Sequence, residues 1–274
     1  MSDEVVLTLH RELDRVVDAG ELRFERFTEL GQGEIERRAV RVAGAGVVPL
    51  AELFAVRGER SARVRVVGDF RRVERLGAAH ESGELVIDGP VGREAGARMR
   101  GGRITIRGDA GWGAGLEMAG GVLDIEGSAG PRAGGAAPGA KRGMTGGELV
   151  VRGNAGPEAA ASMRRGLVAI AGDAGPGAGR ATIAGTVVVC GAAGPDAGQW
   201  SRRGTIVALG PVTPSPTYRY ACTYRPQYAQ LLLRHLEARH RLSVGPARDT
   251  GLFRRYSGDL AELGAGEILA WTAL

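Results

Sequence analysis

Between residues 83 and 210 the chain repeats a single pattern of apolar and polar positions. Each unit opens on a glycine, at Gly83, Gly102, Gly121, Gly147, Gly166, Gly185 and Gly204, with spacings of 19, 19, 26, 19, 19 and 19 residues. One unit therefore carries a seven-residue insertion. Apolar residues, all branched but Ala208, then occupy the third and fifth positions: Leu85/Ile87, Ile104/Ile106, Leu123/Ile125, Leu149/Val151, Val168/Ile170, Val187/Val189 and Ile206/Ala208. Alternation with a period of two predicts a short strand with one buried face in every unit. Two weaker copies precede these, Val64/Val66 before Gly68 and Val40/Val42 before Gly44, for nine coils in all.

The second half of each unit is made of small residues in register. Glycines recur as Gly89, Gly108, Gly127 and Gly172, as Gly92, Gly111, Gly130 and Gly175, and as Gly96, Gly115, Gly134 and Gly179, with Ala160 replacing one. Alanine fills a column at Ala110, Ala129, Ala155, Ala174 and Ala193, and another at Ala95, Ala114, Ala133, Ala159, Ala178 and Ala197. Small side chains let opposite walls of a coil approach, and glycine supplies corners that other residues would strain. At ~3.3 Å per residue and ~4.8 Å between stacked strands, the expected fold is an all-β solenoid. It is read as a flattened, right-handed parallel β-helix over residues 38–210, with a filled interior. A third column, Met99, Met118, Met144 and Met163, continues as Thr182 and Ser201. A sulfur-lined site and a ladder of adaptable core side chains both fit it, and the core ladder is the ordinary use of methionine.

The flanks differ in pattern. Residues 1–37 read as an N-terminal arm anchored by Leu22, Phe24, Phe27 and Leu30. Residues 211–274 read as a C-terminal extension, with Pro211, Pro214 and Pro216 leading to a helix at about 226–241. Tyr228, Leu232, Leu233 and Leu236 are its expected apolar stripe. A solenoid needs its open end covered, so the helix is assigned first as a cap and second as a docking element. The outward strand positions are polar in the early units and apolar in the late ones, where Val188, Val207 and Leu209 form a stripe. Such a stripe is expected to be covered, by this helix or by a partner protein. The inserted loop, with Pro138, Lys141 and Arg142, is expected to project and contact a neighbouring subunit.

Composition narrows the function. Glycine is 46 of 274 residues, and the net charge is +5 with aromatics at only 5%. Basic pairs recur at one corner, Arg98/Arg100, Lys141/Arg142, Arg164/Arg165 and Arg202/Arg203. They skip units and lack the stacking aromatics of RNA modules, so a solvated edge fits better than a nucleic-acid track. Gly134 to Thr145 superficially suggests a phosphate loop, but Ala140 precedes Lys141 and Arg142 follows it, which breaks the pattern. Two cysteines, Cys190 and Cys222, make neither a disulfide framework nor a cluster. The histidines His10, His80, His235 and His240 are scattered, and five residues is poor spacing for one helical face. No catalytic, cofactor or metal site is expected, and the chain reads as cytoplasmic, with neither a signal peptide nor a membrane span.

The G-x-x-G-x-x-x-G repeat resembles the C-terminal β-helix domain of the glutamate synthase large subunit. It resembles still more the free-standing β-helix subunit, the one lettered C, of formylmethanofuran dehydrogenase and of the bacterial formyltransferase/hydrolase complex. Three further segments carry that second resemblance. They are Phe27 to Glu36 with Val48 to Phe54 and Gly58, the long-loop unit from Gly134 to Gly147, and Phe253 to Asp259 followed by Gly264, Gly266 and Glu267. The resemblance implies a scaffold subunit of an assembly handling the formyl group of formylmethanofuran in one-carbon metabolism. There the group passes between tetrahydromethanopterin and methanofuran and is released as formate. Partners would be amidohydrolase-type and formyltransferase-type subunits, and methanofuran is the implied carrier. The alternative is a glutamate-synthase-like subunit that spaces an amidotransferase from a synthase site.

Overall fold

The computed structural model describes residues 4–272, so the first three residues of the arm and the last two of the C-terminal extension lie outside it. The N-terminal segment supplies β1 (Val5–Leu9), β2 (Val17–Asp18), α1 (Gln32–Glu36), β3 (Ala39–Val42), β4 (Gly46–Pro49) and β5 (Phe54–Arg57). Next come β6 (Arg63–Val67), the two-residue β7 (Val73–Glu74) and β8 (Glu84–Asp88). One strand per repeat follows: β9 (Arg103–Ile106), β10 (Val122–Ile125), β11 (Glu148–Val151), β12 (Leu167–Ile170), β13 (Thr186–Val189) and β14 (Thr205–Ala208). The C-terminal segment adds β15 (Arg219–Tyr224), α2 (Gln227–His240), α3 (Ala247–Thr250), β16 (Phe253–Gly258) and β17 (Gly266–Trp271).

The protein is mostly β, with few helices. One 13-stranded sheet runs β15-β16-β17-β14-β13-β12-β11-β10-β9-β8-β6-β1-β5 and does not close into a barrel. The repeat strands are parallel, and their register is the repeat itself: Ile104 sits beside Leu123, Leu123 beside Leu149, and Leu149 beside Val168. A second parallel ladder joins the small halves, from Phe70 through Val91, Ala110, Ala129, Ala155, Ala174 and Ala193 to Val212. A third set of backbone bonds links the corners, as in Gly115 N–H to the Ala95 carbonyl (2.8 Å) and Gly179 N–H to the Ala159 carbonyl (2.8 Å). Most backbone groups of a repeat thus find partners in the repeats before and after it.

The space between the ladders is filled. Leu85, Ile87, Ile104, Ile106, Leu123, Ile125, Leu149 and Val151 are fully buried, as are Met99, Met118, Met144 and Met163 and the alanines Ala114, Ala133, Ala159 and Ala178. Each fully buried branched side chain contributes ~1.5–3 kcal/mol by leaving water. Two glycines show why small residues recur. A Cβ on Gly111 would sit 2.8 Å from the Gly92 carbonyl oxygen of the preceding repeat, and Gly115 turns its corner at φ +64°. Ala160, which replaces a glycine in that column, is held in the same left-handed region at φ 58°.

Two expectations need correction, and for a third the structure selects one of the two alternatives. Val40 and Val42 do not open a coil: their strand pairs antiparallel with β2 and β4 in a separate four-stranded sheet. The place before β6 is taken instead by β1, from the N-terminal arm, parallel to β6. The helix does not cap the open end of the repeats, because β17 pairs parallel with β14 there, with β16 and β15 antiparallel beyond. Its buried stripe is Ala229, Leu233, Leu236 and His240, whereas Tyr228 is 41% exposed. Finally, Val188 and Val207 have no exposed surface and Leu209 has little, because α2 and the segment after it pack on them. The late apolar stripe is covered by the chain's own helix and is not a free partner interface.

Candidate functional site

Two features gather polar chemistry. The first is a groove beside the inserted loop. In an ordinary repeat the methionine N–H bonds to the glycine three residues earlier, as Met118 to Gly115 (3.1 Å). In the long repeat the same bond joins Met144 to Gly134 (3.1 Å), so the insertion is looped out between two residues that remain partners. The core is undisturbed, and Lys141 and Arg142 stand exposed, with Pro138 likewise at the surface. Lys141 and Arg142, with Arg164, Ile183, Trp200 and Arg202, line a cleft of ≈ 580 Å³. A contiguous hollow of ≈ 360 Å³ continues along Ser162, Ala181 and Trp200 to Arg132 and Arg180.

The corner geometry places these side chains. Arg98, Glu117, Ser162, Ala181 and Trp200 occupy one column and all have positive φ, from 53° to 63°. At that conformation a non-glycine residue is uncommon, and a bulky one is a local strain held by the surrounding stack. Trp200 is 46% exposed, and the Arg180 guanidinium lies 4.2 Å from its ring centroid. Arg132 and Arg180 pair with Glu158 (2.6 and 3.6 Å), and Arg202 with Glu262 (3.3 Å). Among the described residues no salt bridge engages Lys141, Arg142 or Arg164, so their charge is available to an anionic group. The basic pairs are legible on this corner from the sequence, but the tryptophan among them is not, because Trp200 belongs to a column otherwise made of unrelated residues.

The second feature lies where α2 crosses β11. Glu148 Oε1 is 2.9 Å from His235 Nε2, and Oε2 is 2.7 Å from His240 Nε2 and 3.2 Å from Arg239 Nε. Arg152, immediately after that strand, holds Asp124 with bonds of 3.0 and 2.8 Å and donates to the His240 carbonyl at 2.9 Å. The helix ends at this point because Arg241 turns into the left-handed region, its N–H bonding to the Glu237 carbonyl. Burial works against the Glu148 carboxylate, but hydrogen bonds from His240 and His235 outweigh it and hold its pKa below the ordinary value. Burial pushes the His240 imidazole down, against the hydrogen bond to Glu148 that raises it. The five-residue spacing of His235 and His240 argues against a shared site when read along the helix alone. They converge because both reach the same carboxylate on the sheet beneath.

A glycine-repeat chain whose parallel strands stack at one-repeat intervals, with an inserted basic loop on one corner, belongs to the class of repeat proteins built on stacked short strands. The chain superposes on a chain of the formyltransferase/hydrolase complex FhcABCD from Methylorubrum extorquens, crystallised with methylofuran, with a TM-score of 0.89 and 36% identity. The match spans 98% of this chain and 100% of that one, and the protein belongs to the family of that complex component. No family model and no curated protein sequence matches the chain. Among the described residues no helix is long and apolar enough to cross a membrane.

Proposed function

We propose that this chain is the β-helix component, lettered C, of a cytoplasmic formyltransferase/hydrolase complex, and that it serves there as a non-catalytic scaffold. The complex would handle the formyl group of a methanofuran-type carrier and release formate. The observation that carries this is the match along essentially the whole of both chains to a component of such a complex. The scaffold role is supported by the interior, where fully buried Ile, Val, Met and Ala side chains occupy the space that a substrate would need. The repeats are taken to wind as a right-handed parallel β-helix. This reading rests on the constant parallel register of both ladders and on the right-handedness of nearly all parallel crossovers.

The amidohydrolase-type and formyltransferase-type subunits are assigned as partners, and the looped-out segment 135–142 with its basic groove as one contact. Its Lys141 and Arg142, with Arg164 beside them, favour an acidic surface or ligand. Tagging the chain in its native host and identifying what co-purifies tests the assignment. Recovery of formyltransferase and amidohydrolase subunits is expected, and recovery of glutamate synthase components instead would overturn it. Deleting the seven residues 136–142, which restores the 19-residue spacing, is expected to weaken assembly while leaving the melting temperature of the isolated chain unchanged.

A further inference from the structure

We propose that Glu148, His235 and His240 form a binding site for one divalent transition-metal ion of the zinc class, which when bound pins α2 to β11. The donor atoms are already convergent: one carboxylate and two imidazoles offer ligand atoms that all lie within 4.8 Å of one another. Two imidazole nitrogens and a carboxylate oxygen are a donor set that zinc accepts, with a fourth position left for water. The set is assembled from two elements, so the ion would bridge the sheet to the helix.

The surroundings bear on both rigidity and access. Glu148 opens a strand paired on both sides, by β10 and β12. The end of the helix is held by the Asp124–Arg152 pair through the His240 carbonyl. His240 is buried, whereas the His235 and Arg239 side chains are 38% and 53% exposed, which leaves an open side for entry and for the water ligand. At metal–ligand distances of ~2.0–2.2 Å, tetrahedral ligands stand farther apart than hydrogen-bonded atoms do, so the cluster must open by about half an ångström. The exposed partners, His235 and Arg239, can supply that movement.

Two features set the expected affinity. Arg239 bonds the carboxylate oxygen that the metal would use and must swing into solvent, so it competes with the ion. The Nδ1 of His240 is buried without a hydrogen-bond partner. A ligating histidine normally has such a partner, and losing one costs ~10–100-fold in affinity. Binding is therefore expected to be micromolar rather than nanomolar.

The test uses the full chain, titrated with zinc by calorimetry and with cobalt by its visible absorption. One equivalent, with a melting temperature raised by zinc and restored by a chelator, is expected. Glu148→Gln and His235→Ala should each abolish uptake, with circular dichroism reporting that the fold persists. Arg239→Ala should tighten binding several-fold, an effect that a purely hydrogen-bonded clasp does not produce. Should the wild-type chain show no saturable uptake, or both ligand variants bind as well as wild type, the site does not exist. Should Glu148→Gln fail to fold, the half-exposed His235→Ala and Arg239→Ala pair decides the question alone.

Discussion

The outward faces of the early and late repeats use the same backbone for opposite ends. On β8 and β9 the outer positions form a charged ladder, with Asp88 bonded to Arg65 from the strand before and to Arg107 after it (2.9 Å). On β11 to β14 and β17 the outward column in register with Arg65, Val86, Thr105 and Asp124 is Val150, Ala169, Val188, Val207 and Leu269, all with no exposed surface. Asp124 on β10 marks the boundary, turned toward the late half by its pair with Arg152. The 14 residues of α2 span ~21 Å at ~1.5 Å per residue, close to the ~19 Å of four strand spacings from β11 to β17. The difference teaches that the repeat decides only the inner face. The outer face is free to select solvent or a helix, and here it selects each in turn.

Placing the same substitution in the two regions should break this symmetry most visibly. Val188→Asp puts a charge under α2 and is expected to cost roughly 3–5 kcal/mol, enough to detach the helix or unfold the chain. Val86→Asp lies in the same outward column beside Arg65 and should cost about 1 kcal/mol or less. Chemical denaturation of the two variants compares them, and equal losses would show that α2 does not seal the late face. Inside the repeat the two halves should agree. Ala114→Leu and Ala178→Leu both overpack fully buried positions, at an expected ~1–3 kcal/mol each, with matching falls in thermal midpoint.

Thiol labelling sharpens the same contrast kinetically. Burial pushes the Cys190 thiol up to about 11, so at pH 8 roughly a thousandth is thiolate, the reactive form. Cys222 on the exposed edge strand β15 should react at once, and Cys190, half-buried beneath the segment that follows α2, far more slowly, as mass spectrometry of the modified chain would show. The smallest effect belongs to the charged ladder. Arg107→Ala, which removes a half-exposed partner of Asp88, should change stability by less than about 1 kcal/mol and less still in high salt.

Much of this was legible in the chain. A 19-residue period with Ile, Leu and Val two apart dictates which side chains turn inward, since alternation is a local property of extended backbone. Columns of Ala, Gly and Met likewise specify a narrow, filled interior, because one residue type in register must meet the same environment in every unit. The insertion could be located to the residue for the same reason. The early–late change in the outer column was visible too, and it announced that something covers the late strands.

What covers them was a tertiary decision. Pairing between β1 and β6 bridges about sixty residues of chain, and no local signal distinguishes that strand from the β3 pattern that proved to pair elsewhere. The cap at the open end comes from β17, which no repeat marks, and that frees α2 to lie across the outer face of the strands instead. The Glu148, His235 and His240 cluster could not be read at all, since its members are separated by some ninety residues and the two histidines by an unpromising five. Only the docking of the helix, set by apolar area over five strands, decides which carboxylate its last turns meet.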